Sequence, residues 1–228
     1  MKYNKIPHTE IKVSKICLGT MTWGNQNSEK EAFEQLDLSV ERGVNFIDTA
    51  ELYPVPAEAE TSGRTSEIIG KWLRKKKNRD KLVIATKIAG PGDYTKHIRT
   101  GGFSPKSIED AINKSLKRLQ TDYIDLYQLH WPERSTNFFG IRDYKHNYKD
   151  KWNDNFNEIL NSLDGFVKQG KIRNIGISNE KSWGAMRYIE ESNKCNLPRV
   201  VTIQNAYSLL NRPFEGDLAE ISIREGLG

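Results

Sequence analysis

Four polar residues stand where apolar runs end or loops begin: Asp48, Tyr53, Lys87 and His130. Each alone has an ordinary reading. Asp48 closes the run VNFID and reads as a turn cap. Tyr53 follows it in a loop. Lys87 ends the run LVIATK, an odd place for a solvated lysine, where it either snorkels to a rim or is paired. His130 follows YIDLYQL and precedes Trp131-Pro132, and by itself reads as a packed histidine. Together the four make a proton-donor assembly. A phenol with an ordinary pKa of about 10 is a poor acid at neutral pH. A buried ammonium beside it stabilises the phenolate and lowers that pKa. An aspartate keeps the lysine charged, and a histidine orients a substrate oxygen. Such a set protonates a carbonyl oxygen as hydride reaches its carbon.

The elements that must position these residues alternate between strand and helix. Apolar runs at Ile16–Gly19, Val44–Asp48, Leu82–Lys87, Tyr123–His130, Ile172–Ser178 and Val200–Gln204 predict strands. Helices are predicted between them. Ser28 and Glu31 have the spacing of a capping box, with Ala32, Leu36 and Val40 on one face after it and Gly43 at the C-cap. A second helix is expected at about Thr65–Lys75. Ser104-Pro105 opens a third, striped by Ile108, Ala111, Ile112, Leu116 and Leu119. Further helices are expected at Phe156–Lys168 and Ser182–Ser192, and a longer polar and aromatic loop at 131–152. Residues 2–5 and 10–13 are expected to form an N-terminal hairpin. Strands this apolar are buried on both faces, which means a parallel α/β protein.

Two architectures compete, a doubly wound sheet and a (β/α)8 barrel. The glycine fingerprints of nucleotide-binding open sheets, GxGxxG and GxxxxGK[ST], are missing from the sequence. The polar residues gather at the C-terminal ends of successive strands: Asp48, Lys87, His130, Ser178-Asn179 and Gln204. That is where a barrel enzyme builds its site, so the pattern favours the barrel.

The 228 residues carry 35 Lys and Arg against 30 Asp and Glu, a net charge of +5. Mean hydropathy is −0.70. The mild, interspersed charge excess argues against a nucleic-acid partner and suits an anionic ligand. No run has the length of a membrane span, and the N-terminus has no apolar signal region. Cys17 and Cys195 read as reduced thiols of a cytoplasmic protein, and the histidine spacing gives no zinc motif. The basic run Arg74–Lys77 reads as a solvated helix end.

Longer motifs now carry a resemblance. GVNFIDTAELY (43–53), SIEDAINKSLKRLQTDYID (107–125) with Leu129-His130, KIRNIGISN (171–179) and Ile203-Gln204-Asn205 resemble the ordered signatures of the aldo-keto reductases. The first residues and the segments AELYPVPAEAET and TIQNAYSLLNRPFE are most similar to the bacterial Tas-type members. The resemblance implies an NADP(H)-dependent reductase of small aldehydes or ketones on a TIM barrel. It implies that Tyr53 is the general acid, Lys87 and Asp48 its tuning pair, and His130 the group that orients the carbonyl. Thr20, Met21, Asp48, Ser178, Asn179 and Gln204 would contact the cofactor, the last three its nicotinamide carboxamide. Trp23 and Trp131 would line the substrate mouth.

The resemblance also sets an expectation about extent. A full barrel has eight strands and about 250 residues, whereas six core strands plus a hairpin are legible here. The chain is therefore expected to be one barrel domain (1–228), truncated at its C-terminus relative to the family, and to bind NADP weakly or not at all by itself. Two other functions share the fold. One is an NADP-binding regulatory module like the potassium-channel β subunits, which carry Asn where this chain has His130. The other is an inactive truncated remnant. Oligomeric state and physiological substrate are not legible.

Overall fold

The computed structural model describes residues 1–139, 141 and 143–228; Gly140 and Arg142, in the expected 131–152 loop, lie outside the described residues. An antiparallel hairpin of β1 (Tyr3–Lys5) and β2 (Lys12–Ser14) comes first. Six parallel strands follow: β3 (Cys17–Gly19), β4 (Phe46–Asp48), β5 (Val83–Ile88), β6 (Ile124–Leu129), β7 (Ile172–Ser178) and β8 (Val200–Gln204). They pair strictly in chain order, β3-β4-β5-β6-β7-β8. Helices α1 (Glu29–Glu41), α2 (Arg64–Lys76), α3 (Pro105–Leu119), α4 (Phe156–Lys168) and α5 (Ser182–Cys195) connect them, and α6 (Leu218–Glu225) follows β8. This is the arc of an incomplete (β/α)8 barrel. Past α6 the ladder resumes: Ile203 N–H donates to Gly228 O (3.0 Å) and Gly228 N–H to Val201 O (2.9 Å), the parallel pattern on the outer edge of β8. Among the described residues, no helix is long and apolar enough to cross a membrane.

Local chemistry explains the element starts and stops. Ser28 Oγ accepts from Glu31 N–H (3.3 Å) while Glu31 Oε2 accepts from Ser28 N–H (2.7 Å), a complete capping box for α1. Ser104 Oγ accepts from Ser107 N–H (3.2 Å) at the start of α3, with Pro105 at its first position. β4 starts two residues later than the apolar run suggests. Val44 N–H turns back to Ser39 O (2.9 Å), and the Asn45 side chain bridges to the hairpin at Ser14 N (2.7 Å) and Lys12 O (2.9 Å). α5 runs beyond Ser192 to Cys195, where left-handed Asn196 closes it. Both cysteines are free thiols.

Strand alternation divides the core in three. Outward-facing Ile47, Ile84, Tyr127, Ile175 and Ile177 pack on the helices. Inward-facing Val83, Ala85, Leu126 and Val201 meet Ile6 and Val13 of the hairpin, which plugs the barrel bottom. Leu52, Tyr53, Ala89 and Trp131 form a small cluster at the opposite end, under the mouth.

Candidate active site

The C-terminal ends of the strands bring the four sequence-predicted residues together. β4 and β5 pair with Asp48 opposite Ala85, which sets Asp48 and Lys87 on the same inner face. Lys87 Nζ donates to Asp48 Oδ2 (2.6 Å) and to Thr49 O (2.8 Å), and is buried to 1% exposure. The same ammonium lies 5.0 Å from the centroid of the Tyr53 ring. His130, just past β6, meets that ring edge-on with centroids 5.6 Å apart. Lysine, carboxylate, phenol and imidazole therefore share one buried pocket.

The electrostatics depart from expectation at Tyr53. Burial raises its pKa above 10, the Lys87 ammonium pulls it down, and Asp48 pushes it up again. Burial outweighs the lysine, so the phenol holds its proton more firmly than a free tyrosine. Burial also drives His130 well below its ordinary 6.5, with Lys87 repulsion adding to the effect. The imidazole is neutral at neutral pH. Its Nδ1 is buried without a hydrogen-bond partner among the described residues.

The other expected contacts divide. Ser178 Oγ donates to Gln204 O (2.8 Å), and left-handed Asn179 donates from Nδ2 to His130 O (2.9 Å) and Ser178 Oγ (3.1 Å). Gln204 Nε2 reaches Asp48 Oδ2 at 3.2 Å. These three side chains thus border the pocket. Thr20 is fully buried, its hydroxyl on Asp48 O (2.8 Å), and half-exposed Met21 flanks it at the rim. Trp131 stacks beside His130 (4.9 Å) and donates to Pro91 O (3.0 Å). It presses so closely on Gly90 that a Cβ there would lie 2.4 Å from the indole nitrogen. Trp23 is not at the mouth. At 1% exposure it packs with Ala32, Leu36 and Ile68 on the helix side, its indole donating to Gln35 Oε1 (2.9 Å). An aromatic in a loop beside the strand end turned under α1 rather than over the pocket.

Sequence reasoning missed three polar residues. Gln128, two residues before His130, shares its inward parity and joins the pocket through Asp48. Glu51 pairs with Arg99 and accepts from Ala89 N–H (2.5 Å), pinning the Tyr53 loop to the end of β5. Glu180 holds Arg134 through both oxygens, one at 3.0 Å, beside Asn179. The parity of Gln128 was a readable signal; the other two depend on loop paths.

The polar atoms left over bear on whether a nicotinamide carboxamide fits. Such an amide needs acceptors for its N–H groups. Asn205 Oδ1 is buried with no partner among the described residues, while its Nδ2 donates to Glu180 O (2.8 Å). An orphan acceptor at the end of β8, beside Asn179 and Gln204, fits that need.

The model of the aldo/keto reductase family matches residues 15–228. The chain belongs to the aldo/keto reductase family. It is 50% identical to protein tas of Escherichia coli over its whole length, covering 66% of that protein. It is 35% identical to the uncharacterized oxidoreductase YrpG of Bacillus subtilis, again over its whole length and 64% of that relative. Among solved structures, the thermostable aldo-keto reductase Tm1743 bound to the inhibitor epalrestat superposes with a TM-score of 0.74 at 28% identity, covering 100% of this chain and 70% of that one. The chain thus spans just under two thirds of the length of these sequence relatives.

Proposed function

We propose that this chain carries the proton-donor half of an NADPH-dependent reductase of small aldehydes or ketones. The observation behind the reading is the placement of Lys87, clamped between Asp48 Oδ2 (2.6 Å) and Thr49 O (2.8 Å) and facing the Tyr53 ring at 5.0 Å. The bound nicotinamide supplies hydride when present. The chain's residues handle the oxygen. Neutral His130 orients the carbonyl oxygen from Nε2, and Tyr53 gives up its phenolic proton as negative charge builds there. The proton stays on Tyr53 until then, because burial holds it. Lys87 then faces the new phenolate and stabilises it. Asn179, Asn205, Ser178 and Gln204 would hold the carboxamide, and Thr20 and Met21 would border the ribose. Trp131, packed on His130, would wall the substrate side.

The test is isotopic. The protein expressed from its native gene is given a generic aldehyde and NADPH carrying deuterium at the nicotinamide C4. Deuterium on the carbinol carbon of the alcohol is the expected result, with NADH the poorer donor. An aldehyde left unreduced, or an alcohol without deuterium, would contradict the proposal. His130 favours the enzyme over a regulatory module, since a neutral imidazole is a hydrogen-bonding group suited to a carbonyl.

A further inference from the structure

Gln128 lies at the centre of the polar pocket with no role in the reading above. It is 2% exposed, on β6 directly opposite Lys87 of β5 and Gly176 of β7. Its Nε2 donates to Asp48 Oδ1 (3.3 Å) and to Gln204 Oε1 (3.1 Å). Gln204 Nε2 donates to Asp48 Oδ2 (3.2 Å). The charge on Asp48 sets the pattern. An ionised carboxylate only accepts, so both carboxamides must turn their NH2 groups to Asp48. Gln128 spends its second N–H on the Gln204 oxygen, so the Gln204 amide is engaged through its oxygen and through one N–H. Gln204, which is exposed at the end of β8, is thereby clasped at both ends of its amide. The room for this is built in. A Cβ on Gly176 would lie 2.2 Å from Thr202 Oγ1 and 3.3 Å from Gln128 Cγ.

We infer that Gln128 is a positioning residue, one that ties the Asp48–Lys87 pair to the Gln204 carboxamide and sets the flip of that amide before the cofactor arrives. The inference rests on the proposed assignment of Gln204 to the nicotinamide side. Through Asp48, the proton-donor side and the cofactor side of the mouth share one hydrogen-bonded frame. A nicotinamide carboxamide then meets an amide already oriented, which lowers the ordering cost of binding.

Nuclear magnetic resonance tests this on the protein expressed from its native gene, without cofactor or turnover. The Gln204 side-chain amide is assigned by its disappearance in Gln204→Ala. In the wild type its heteronuclear NOE should match the strand backbone. In Gln128→Leu it should fall to the value of solvent-exposed glutamines, since one end of the clasp is gone. Gln128→Asn, too short to reach both partners, should do the same and serves if the leucine variant fails to fold. Leu126→Ala, on the same strand and face, removes packing but no polar contact and should leave Gln204 rigid. A rigid Gln204 in the Gln128 variants, a mobile one in the wild type, or equal loss in Leu126→Ala would each overturn the inference. In turnover assays of the same protein, Gln128→Leu should raise the KM for NADPH about tenfold with a smaller change in kcat. An unchanged KM there would also overturn it. Should the wild type reduce no aldehyde, the functional proposal falls while the resonance measurement still decides the role of Gln128.

Discussion

Two buried aspartates lie at opposite ends of the strands, and they are built differently. Asp125, near the start of β6, is ion-paired with Arg79 Nη2 (2.7 Å) and accepts from Arg173 Nη1 (2.9 Å) and Ile84 N–H (3.0 Å). Both guanidiniums lie over the Tyr123 ring, at 4.0 and 3.9 Å from its centroid. Arg79 is further fixed to Thr121 Oγ1, Leu82 O and Tyr123 O. The cations of this cluster are guanidiniums, whose planar forks hold a carboxylate in a fixed geometry. Asp48, at the end of β4, has a lysine and two carboxamides instead, next to a phenol and an imidazole. The lesson is that burial and ion pairing alone do not mark chemistry. The bottom cluster is saturated and ties its strands together; the mouth sets a phenol and an imidazole beside its ion pair.

The contrast can be broken by mutation, and the largest effect is expected at the bottom. Asp125→Ala leaves Arg79 charged and mostly buried with its partner gone, which costs about 3–5 kcal/mol. Chemical denaturation should show that loss, while turnover per folded molecule stays at the wild-type level. A loss of turnover without a loss of stability would erase the distinction. The next effect concerns acid. His130 is held neutral in the fold, below its ordinary 6.5. Below about pH 6.5 the unfolded chain takes up a proton that the folded one refuses, so stability falls as pH falls, by at most about 1.4 kcal/mol per pH unit for this group. Its contribution is complete above that pH. His130→Asn should flatten this acid limb in melting curves taken across pH, whereas Asp125 variants should shift the whole curve. The smallest effect is expected at Arg173, whose side chain is 52% exposed. Arg173→Leu should cost less than about 1 kcal/mol, because Arg79 and Ile84 N–H still satisfy Asp125. A cost equal to that of Asp125→Ala would mean that the cluster acts as one unit.

Much of this was legible in the residues. Apolar runs closing on Asp48, Lys87, His130, Ser178 and Gln204 located both the strands and the end where the polar cluster lies, because a buried parallel strand gathers polar residues where it emerges. The capping box at Ser28 and the Ser104-Pro105 start appear as written, since those contacts are local. The net effect of burial on Tyr53 was not legible, because sequence does not say how much water the pocket keeps. Trp23 was misplaced for a related reason: an aromatic in a loop has two sides available, and packing under α1 decided it. Glu51 and Arg99 are far apart in sequence and meet only through the course of the loop after β5. Gln128 was within reach, by its parity with His130 in a run that is otherwise apolar on that face.

The central claim is that Tyr53 serves chemistry and Asp125 serves stability. Tyr53→Phe removes the acidic hydroxyl that faces Lys87 while keeping the ring that packs on His130. The decisive measurement is aldehyde reduction, NADPH affinity and melting of Tyr53→Phe beside Asp125→Ala, in the protein expressed from its native gene. The account predicts that Tyr53→Phe loses about a hundred- to ten-thousand-fold in turnover while melting and binding NADPH like the wild type. Wild-type turnover in Tyr53→Phe would contradict it.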